Sequence, residues 1–392
     1  MRILYQCNGL PPGFIGGAEI FSMHFVEQMH RRGHDIRVVT SHDNRVVTSL
    51  ISVGGEASPY RCSAPVIKLP FAETFLDRGL RGQRQTFQHV EAILASFHPE
   101  VIHLNDVREA GFFFLRRSEL DIPRLLTLHA PLKTGGIGGL EGRMIAEADR
   151  IVAVSAALGA SAAQAYPATR SKLSVIRNAL PIPAIAPAPL PFDPPVVLCL
   201  GRLAAEKGFD IALEAFAKVQ AAFPGARLWI AGNGPEREAL EARAESLGIT
   251  RQVEFTGWIE PWKVPDLLDR ATVVLMPSKW AEPFGLVALQ AGQMGRPVIA
   301  TATGGLPEIV DDGETGLLVP VGDVDALAGA LRLLLAAPER AVAMGRQARM
   351  RTQDRFSFER LLDRYEEAYR AAIASHGRGL VPGSARVAQS RR

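Results

Sequence analysis

A carboxylate, a proline and a glycine fall close together in Lys279-Trp280-Ala281-Glu282-Pro283-Phe284-Gly285-Leu286-Val287-Ala288-Leu289-Gln290-Ala291. The apolar run Thr272–Met276 precedes this stretch and reads as a strand. The residues Phe284–Met294 read as a helix, so the segment is a strand-to-helix turn. Pro283 suits a first helical turn, where a missing N–H costs nothing. The amides of Phe284, Gly285 and Leu286 would then form a positive helix end fit for a phosphate or sugar oxygen. Gly285 lets a ligand come close to the backbone, and Gln290, tilted toward the helix start, can reach back to it. Without a ligand, the same residues describe a core helix preceded by an acid.

A second candidate is Gly201-Arg202-Leu203-Ala204-Ala205-Glu206-Lys207-Gly208, between the strand pattern Val196–Leu200 and a helix expected from Asp210. Two cations in one loop at the carboxyl edge of a sheet can clamp a diphosphate. Arg202 offers a planar fork and Lys207 a point charge. Both would stabilise charge growing on a departing nucleotide diphosphate. Plain surface charge is the alternative reading of this loop.

Two weaker candidates lie nearer the N-terminus. The loop Asn8–Gly17 carries Gly13, Gly16 and Gly17 ahead of a helix, which permits close approach by a phosphate or an acceptor. It is not a dinucleotide GxGxxG fingerprint. His129 ends the strand pattern Arg124–His129 and precedes the glycine-rich Lys133–Gly142. A histidine there can donate hydrogen bonds to a sugar or orient an acceptor hydroxyl, or serve only the structure. His103 is read as structural.

Other features are set aside. Asp323-Val324-Asp325 has the acid-x-acid form of a metal pair, but it precedes the helix Ala326–Leu335 and reads as a cap. Ser155 reads as a cap for the same reason. Thr301–Glu308 lies at a strand end, where its glycines can border a ligand or serve only the turn. No His/Cys cluster has metal-ligand spacing.

These candidates need elements to hold them. Strands are expected at Arg2–Cys7, Asp35–Thr40, Val101–Leu104, Arg124–His129 and Arg150–Val154, with helices at Ala18–Arg32 and Gln83–Phe97 between them. After the proline- and alanine-rich linker Ala179–Pro195 the pattern restarts. Strands follow at Val196–Leu200, Arg227–Ala231, Val253–Thr256, Thr272–Met276, Pro297–Ala300 and Gly316–Val319, interleaved with helices. Runs apolar throughout, joined by helices, argue for an α/β protein with parallel sheets covered on both faces. The expected domains are 1–180, a linker at 181–195, and 196–357. The helix 358–375 is expected to cross back to the first domain, and 376–392 to be a disordered tail. Ligands in such sheets bind outside the carboxyl ends of the strands, where all four candidates fall.

At 392 residues the chain is long enough for two cores, and 47% apolar against 22% charged residues excludes a disordered chain. No apolar run reaches eighteen residues, and no secretory signal or nucleic-acid module is evident. Cys7, Cys62 and Cys199 are too scattered for a disulfide framework and suggest free thiols and a cytoplasmic setting. The basic excess of the +3 net charge falls within residues 1–180. Arg78, Arg81 and Arg84 there could meet an anionic membrane from the inner face, although a solvated helix face is the plainer reading.

Taken together, the motifs resemble the family-4 retaining glycosyltransferases over nearly the whole chain. Six stretches of the second half occur in the family's order: Gly201-Arg202…Glu206-Lys207-Gly208, Ala231-Gly232-Asn233-Gly234-Pro235, Phe255-Thr256-Gly257-Trp258, Glu282-Pro283-Phe284-Gly285, Gly304-Gly305-Leu306-Pro307-Glu308 and Gly313-Glu314-Thr315-Gly316-Leu317-Leu318-Val319. The resemblance implies a GT-B fold, two Rossmann-like doubly wound parallel-sheet domains facing a central cleft. It implies a nucleotide diphosphate sugar as donor, a glycan, lipid-linked or small-molecule acceptor, and neither metal nor further cofactor. By the same resemblance Arg202 and Lys207 bind the diphosphate, Glu282 contacts the transferred sugar, and the amides of Phe284, Gly285 and Leu286 seat sugar and phosphates. His129 matches the family's active-site histidine and Gly16-Gly17 its glycine loop. Gly257 and Trp258, within Gly257–Glu260, would lie near the base.

The sequence departs from the family pattern at one informative position. The pattern is Glu, seven residues, Glu, and here the second acid is Gln290. That position is expected to accept from the ribose hydroxyls. Glutamine keeps the acceptor oxygen and loses the charge, so the bond weakens by roughly half. Arg177-Asn178-Ala179 stands where an Asn-Gly turn would be usual. The expected chemistry is front-face displacement with retention, in cell-surface polysaccharide or glycolipid synthesis. A nucleotide-sugar epimerase on the same scaffold, or a non-catalytic nucleotide-sugar sensor, are the other readings.

Overall fold

The structure, a computed structural model, describes residues 1–10, 16–40, 62–69, 71, 79–107, 109–115, 121–132 and 139–376. Gly13, Arg78, most of the Lys133–Gly142 stretch and the tail beyond His376 lie outside the described residues.

Thirteen described strands form two parallel sheets. The first contains β1 (Arg2–Cys7), β2 (Asp35–Thr40), β3 (Val66–Lys68), β4 (Val101–Asn105), β5 (Arg124–Leu128), β6 (Arg150–Ala153) and β7 (Leu173–Val175), in the order β3-β2-β1-β4-β5-β6-β7. The second contains β8 (Val196–Leu200), β9 (Arg227–Ala231), β10 (Val253–Gly257), β11 (Val273–Met276), β12 (Val298–Thr301) and β13 (Gly316–Val319), in the order β10-β9-β8-β11-β12-β13. In each sheet the winding reverses beside the first strand, between β1 and β4 and between β8 and β11. The crevice at such a reversal is where open α/β sheets take ligands.

The central strands are buried along most of their length, because helices cover both faces and leave no side for water. The edge strands β3 and β7, three residues each and partly exposed, were not expected from the sequence. Arg296, fully buried, anchors the linker by donating to the carbonyl oxygens of Ala188 (2.8 Å) and Leu268 (2.9 Å), with Asp269 as its ion partner at 2.7 Å.

The helix Phe358–Ser375 packs on β4, β5 and β6 of the first sheet and on the helix Gly17–Arg31. Tyr365 and Tyr369 are completely buried there. Arg32 pairs with Asp363 at 2.6 Å and Glu359 at 2.5 Å, and Arg364 donates to the Val175 carbonyl at 2.6 Å. The last described helix therefore closes the core of the first lobe.

Two of the discounted motifs are caps. Asp323 accepts from the Ala326 amide at 2.8 Å and Ser155 from that of Leu158 at 3.0 Å. Among the described residues no group of three potential ligand side chains could hold a metal ion, and no helix is long and apolar enough to cross a membrane.

Candidate functional site

The two reversal points face each other across a cleft with a cavity of about 590 Å³. From the first lobe come Gly16 and Gly17 after β1 and His129 after β5. From the second come Arg202 and Lys207 after β8, Trp258 after β10, and Phe284, Gly285, Leu286 and Gln290 after β11. Ten of the expected positions thus share one wall-to-wall space, although they span most of the chain. The lobes nearly touch at the glycine loop, where a Cβ on Gly17 would stand 3.0 Å from Leu286 Cδ1. A side chain there would begin to close the crevice.

The β8 loop is pressed against the β11 loop by backbone contacts. The Lys279 amide donates to the Glu206 carbonyl at 2.8 Å, and Gly208 has a φ of +69°. A Cβ at Gly208 would stand 2.0 Å from the Pro277 carbonyl oxygen, so only glycine permits this approach. It brings Lys207 Nζ to 2.5 Å from Glu282 Oε1, which also accepts from Ser278 Oγ at 2.8 Å. The Trp280 ring lies 5.5 Å from the same ammonium. Arg202 is largely exposed at the cleft mouth and pairs with Glu206.

The helix after β11 starts later than expected. It spans Leu286–Gln293 with Gly285 as its N-cap at a φ of +109°, and no side chain caps it. Pro283 precedes the helix and is not in its first turn, because the left-handed step at Gly285 breaks the helical path. The expected open helix start remains, shifted by two residues, and its first turn carries no acid. The partial positive charge of such an end stays available to an anion.

Glu282 and Gly257 are placed differently from their neighbours. Glu282 is 5% exposed and lies behind Lys207 rather than on the cleft wall. Gly257 turns the chain at the end of β10, and its carbonyl accepts from the Gly232 amide at 2.7 Å. Trp258 beside it is 44% exposed and does reach the cleft.

Gly304 and Gly305 pack on the backbone of Glu282 and Phe284, where a Cβ would approach to 2.2 and 2.8 Å. They support the site from behind and do not border the cavity. Glu308 next to them bridges the lobes, accepting from the Ala157 amide at 3.0 Å and from Arg177 at 2.7 Å.

His129 is half-buried, and burial lowers its pKa to about 4, against a smaller upward pull from Asp106. Its Nε2 lies 2.8 Å from Asn105 Oδ1. His103 is fully buried, bonded through both nitrogens to Tyr369 and Thr127 at 2.7 and 2.8 Å, and is part of the core.

Three residues were missed by sequence reasoning. Asn105 ends β4 beside His129. Asn178 and Trp280 line the cleft, and the buried Asn178 Oδ1 and Trp280 Nε1 have no hydrogen-bond partner among the described residues. Buried polar atoms without partners are uncommon in native proteins, and these two belong to residues that line the cleft. The Arg177-Asn178-Ala179 departure was the one available signal for Asn178.

Two family models cover adjacent stretches of the chain. Residues 15–183 match the model described as Glycosyltransferase Family 4, and residues 184–351 match Glycosyl transferases group 1. The glycogen synthase of Mycobacterium tuberculosis is 27% identical over 403 residues, covering 95% of each chain. Among solved structures, sucrose-phosphate synthase from Thermosynechococcus elongatus superposes with a TM-score of 0.79 at 24% identity, over 95% of this chain and 99% of the other. Anabaena HepE, solved in complex with UDP and glucose, gives 0.78 at 21% identity over 95% and 100%. These neighbours carry the GT-B fold.

Proposed function

The chain belongs to glycosyltransferase family 4, and from that premise we propose that it moves a sugar from a nucleotide diphosphate sugar to a hydroxyl acceptor with retention of configuration. The observation that supports this most is the convergence of Arg202, Lys207 and the uncapped helix start at Gly285 on one cleft, opposite Gly16-Gly17 and His129. Three sources of positive potential surround a space fit for a diphosphate, and the other lobe supplies polar groups for sugars.

The bond from the anomeric carbon to the diphosphate oxygen breaks as the bond from the acceptor oxygen forms on the same face. The acceptor's proton passes to the departing phosphate oxygen. Lys207 and Arg202 stabilise the charge that grows there. Glu282 holds the Lys207 ammonium in place, aided by Ser278, and Gln290 faces the ribose. Trp258 flanks the base. With counter-charge supplied by side chains and backbone, the reaction runs without a metal. The acceptor is a glycan, lipid-linked or small-molecule hydroxyl held against the first lobe, in polysaccharide or glycolipid synthesis.

A thermal-shift series with nucleoside diphosphates and their sugars, followed by assays of nucleotide release with candidate acceptors, tests the reading. A ligand that binds only the folded protein raises its melting temperature. Slow donor hydrolysis without acceptor and fast release with it are expected. Tight donor binding without turnover across acceptors would identify a sensor, and donor isomerisation without acceptor an epimerase.

A further inference from the structure

The ring of His129 is tied to the interior by a chain of hydrogen bonds whose directions can be worked out from the far end. Ser22 Oγ lies 2.7 Å from the Ala18 carbonyl oxygen. Two acceptors do not approach that closely without a proton between them, so the single hydroxyl hydrogen of Ser22 points to Ala18. The oxygen of Ser22 is left to accept twice. One donor is Tyr5 Oη at 3.0 Å, a phenol whose pKa burial raises, keeping it protonated. The other is the Asn105 carboxamide at 2.9 Å, which must offer its Nδ2–H. Oδ1 of Asn105 therefore faces His129 Nε2, 2.8 Å away, and this oxygen only accepts.

We propose that Asn105 is a positioning residue that fixes His129 as the Nε2–H tautomer, so that the imidazole presents a bare Nδ1 to the cleft and meets a sugar hydroxyl only as an acceptor. A neutral imidazole carries one hydrogen, and Asn105 takes it. His129 lines the cleft, and Nδ1 makes no hydrogen bond with any described residue. The lowered pKa keeps the ring neutral at physiological pH. Of the roles read from the sequence, this arrangement favours orienting a hydroxyl over donating to a sugar on the cleft side. Asn105 is 4% exposed, and Ser22 and Tyr5 are completely buried, so solvent does not compete for these bonds. The site would favour a substrate with a hydroxyl at this point over its deoxy or methylated analogue, which leaves Nδ1 without a donor.

The tautomer is measurable without substrate, so it stands or falls independently of the transferase reading. The full-length protein carrying ¹⁵N-histidine is observed by long-range ¹H–¹⁵N correlation, with His129→Gln identifying the signals. Native His129 is expected to show a protonated Nε2 and a bare Nδ1 between pH 8 and 6. In Ser22→Ala the amide is free to turn, and a substantial Nδ1–H population is expected. In Asn105→Asp the facing carboxylate should raise the pKa of His129 by roughly a unit or more. Signals of buried His103 report whether each variant keeps its fold. A native Nδ1–H tautomer overturns the proposal, as does an unchanged pure Nε2–H state in Ser22→Ala together with an unshifted titration in Asn105→Asp. With an acceptor assay in hand, folded Asn105→Leu should lose roughly tenfold in kcat/KM for the hydroxylated substrate and far less for its deoxy analogue.

Discussion

Lys207 Nζ and Glu282 Oε1 stand 2.5 Å apart, joining the loop after β8 to the loop after β11. The lysine side chain is 25% exposed and that of the glutamate 6%, so the acid is enclosed while the cation keeps one side open to the cleft. This arrangement orients a charge and leaves it available to a ligand.

Lys207→Ala removes the partner of an enclosed carboxylate and, on the proposed mechanism, the counter-charge for the leaving group. Turnover should fall by roughly a hundredfold or more. Stability should fall by about 1–3 kcal/mol, because Glu282 is left buried without its cation. The double variant Lys207→Met/Glu282→Gln separates the two effects. Its melting temperature should recover while its activity stays lost, and an active double variant would remove Lys207 from the chemistry.

Gln290→Glu restores an acid at the position that lines the cleft one turn after Leu286. Donor binding, followed by calorimetry, should tighten or stay unchanged, since a charged acceptor strengthens a bond to a ribose hydroxyl. A tenfold loss would mean that this side chain faces something other than ribose.

Asn178 is 3% exposed, lines the cleft and has an Oδ1 without a partner among the described residues. If a substrate supplies the missing donor, Asn178→Ala should leave the melting temperature nearly unchanged, because no protein hydrogen bond is broken. KM for donor or acceptor should rise about tenfold. A large drop in stability with unaltered kinetics would assign the residue to the framework.

Burial lowers the pKa of His24 and of His129 to about 4 and holds that of His103 well below its ordinary value. The unfolded chain binds protons at these residues near pH 6.5, where the folded one does not. Their contribution is fully present above pH 6.5 and is lost as pH falls toward 4. Melting temperature should be level between pH 7 and 8 and decline steadily from pH 6.5 to 5. A profile level down to pH 5 would contradict the neutral burial of these rings.

If Arg202, Lys207 and the Gly285 helix start supply the counter-charge, as proposed, transfer activity should persist after exhaustive treatment with a chelator. Loss of activity on chelation that added divalent metal restores would show that the diphosphate is held through an ion.

Much of the scaffold was legible because it is written locally. β1, β2, β8, β9 and β13 match their expected bounds residue for residue, since a strand covered on both faces is rich in apolar residues. The loops carrying Arg202, Lys207, Glu282 and Gly285 were legible because their motifs follow such strands directly. Local reading failed where geometry departs from pattern. The left-handed step at Gly285 delayed a helix, and three-residue edge strands offered no periodicity to detect.

The sequence by itself determined that β/α units alternate, which loops lie at the strands' carboxyl ends, and which charged and glycine residues those loops contain. Only the tertiary structure decided that β4 and β5 lie side by side, so that Asn105 meets His129 across 24 residues of chain. It alone set Ser22 and Tyr5 behind that pair, and Asn178 and Trp280 on the cleft wall. The physical reason is the range of the interactions. Periodicity and turn chemistry act over a few residues, whereas the direction of a buried hydrogen bond depends on every partner the fold brings to it.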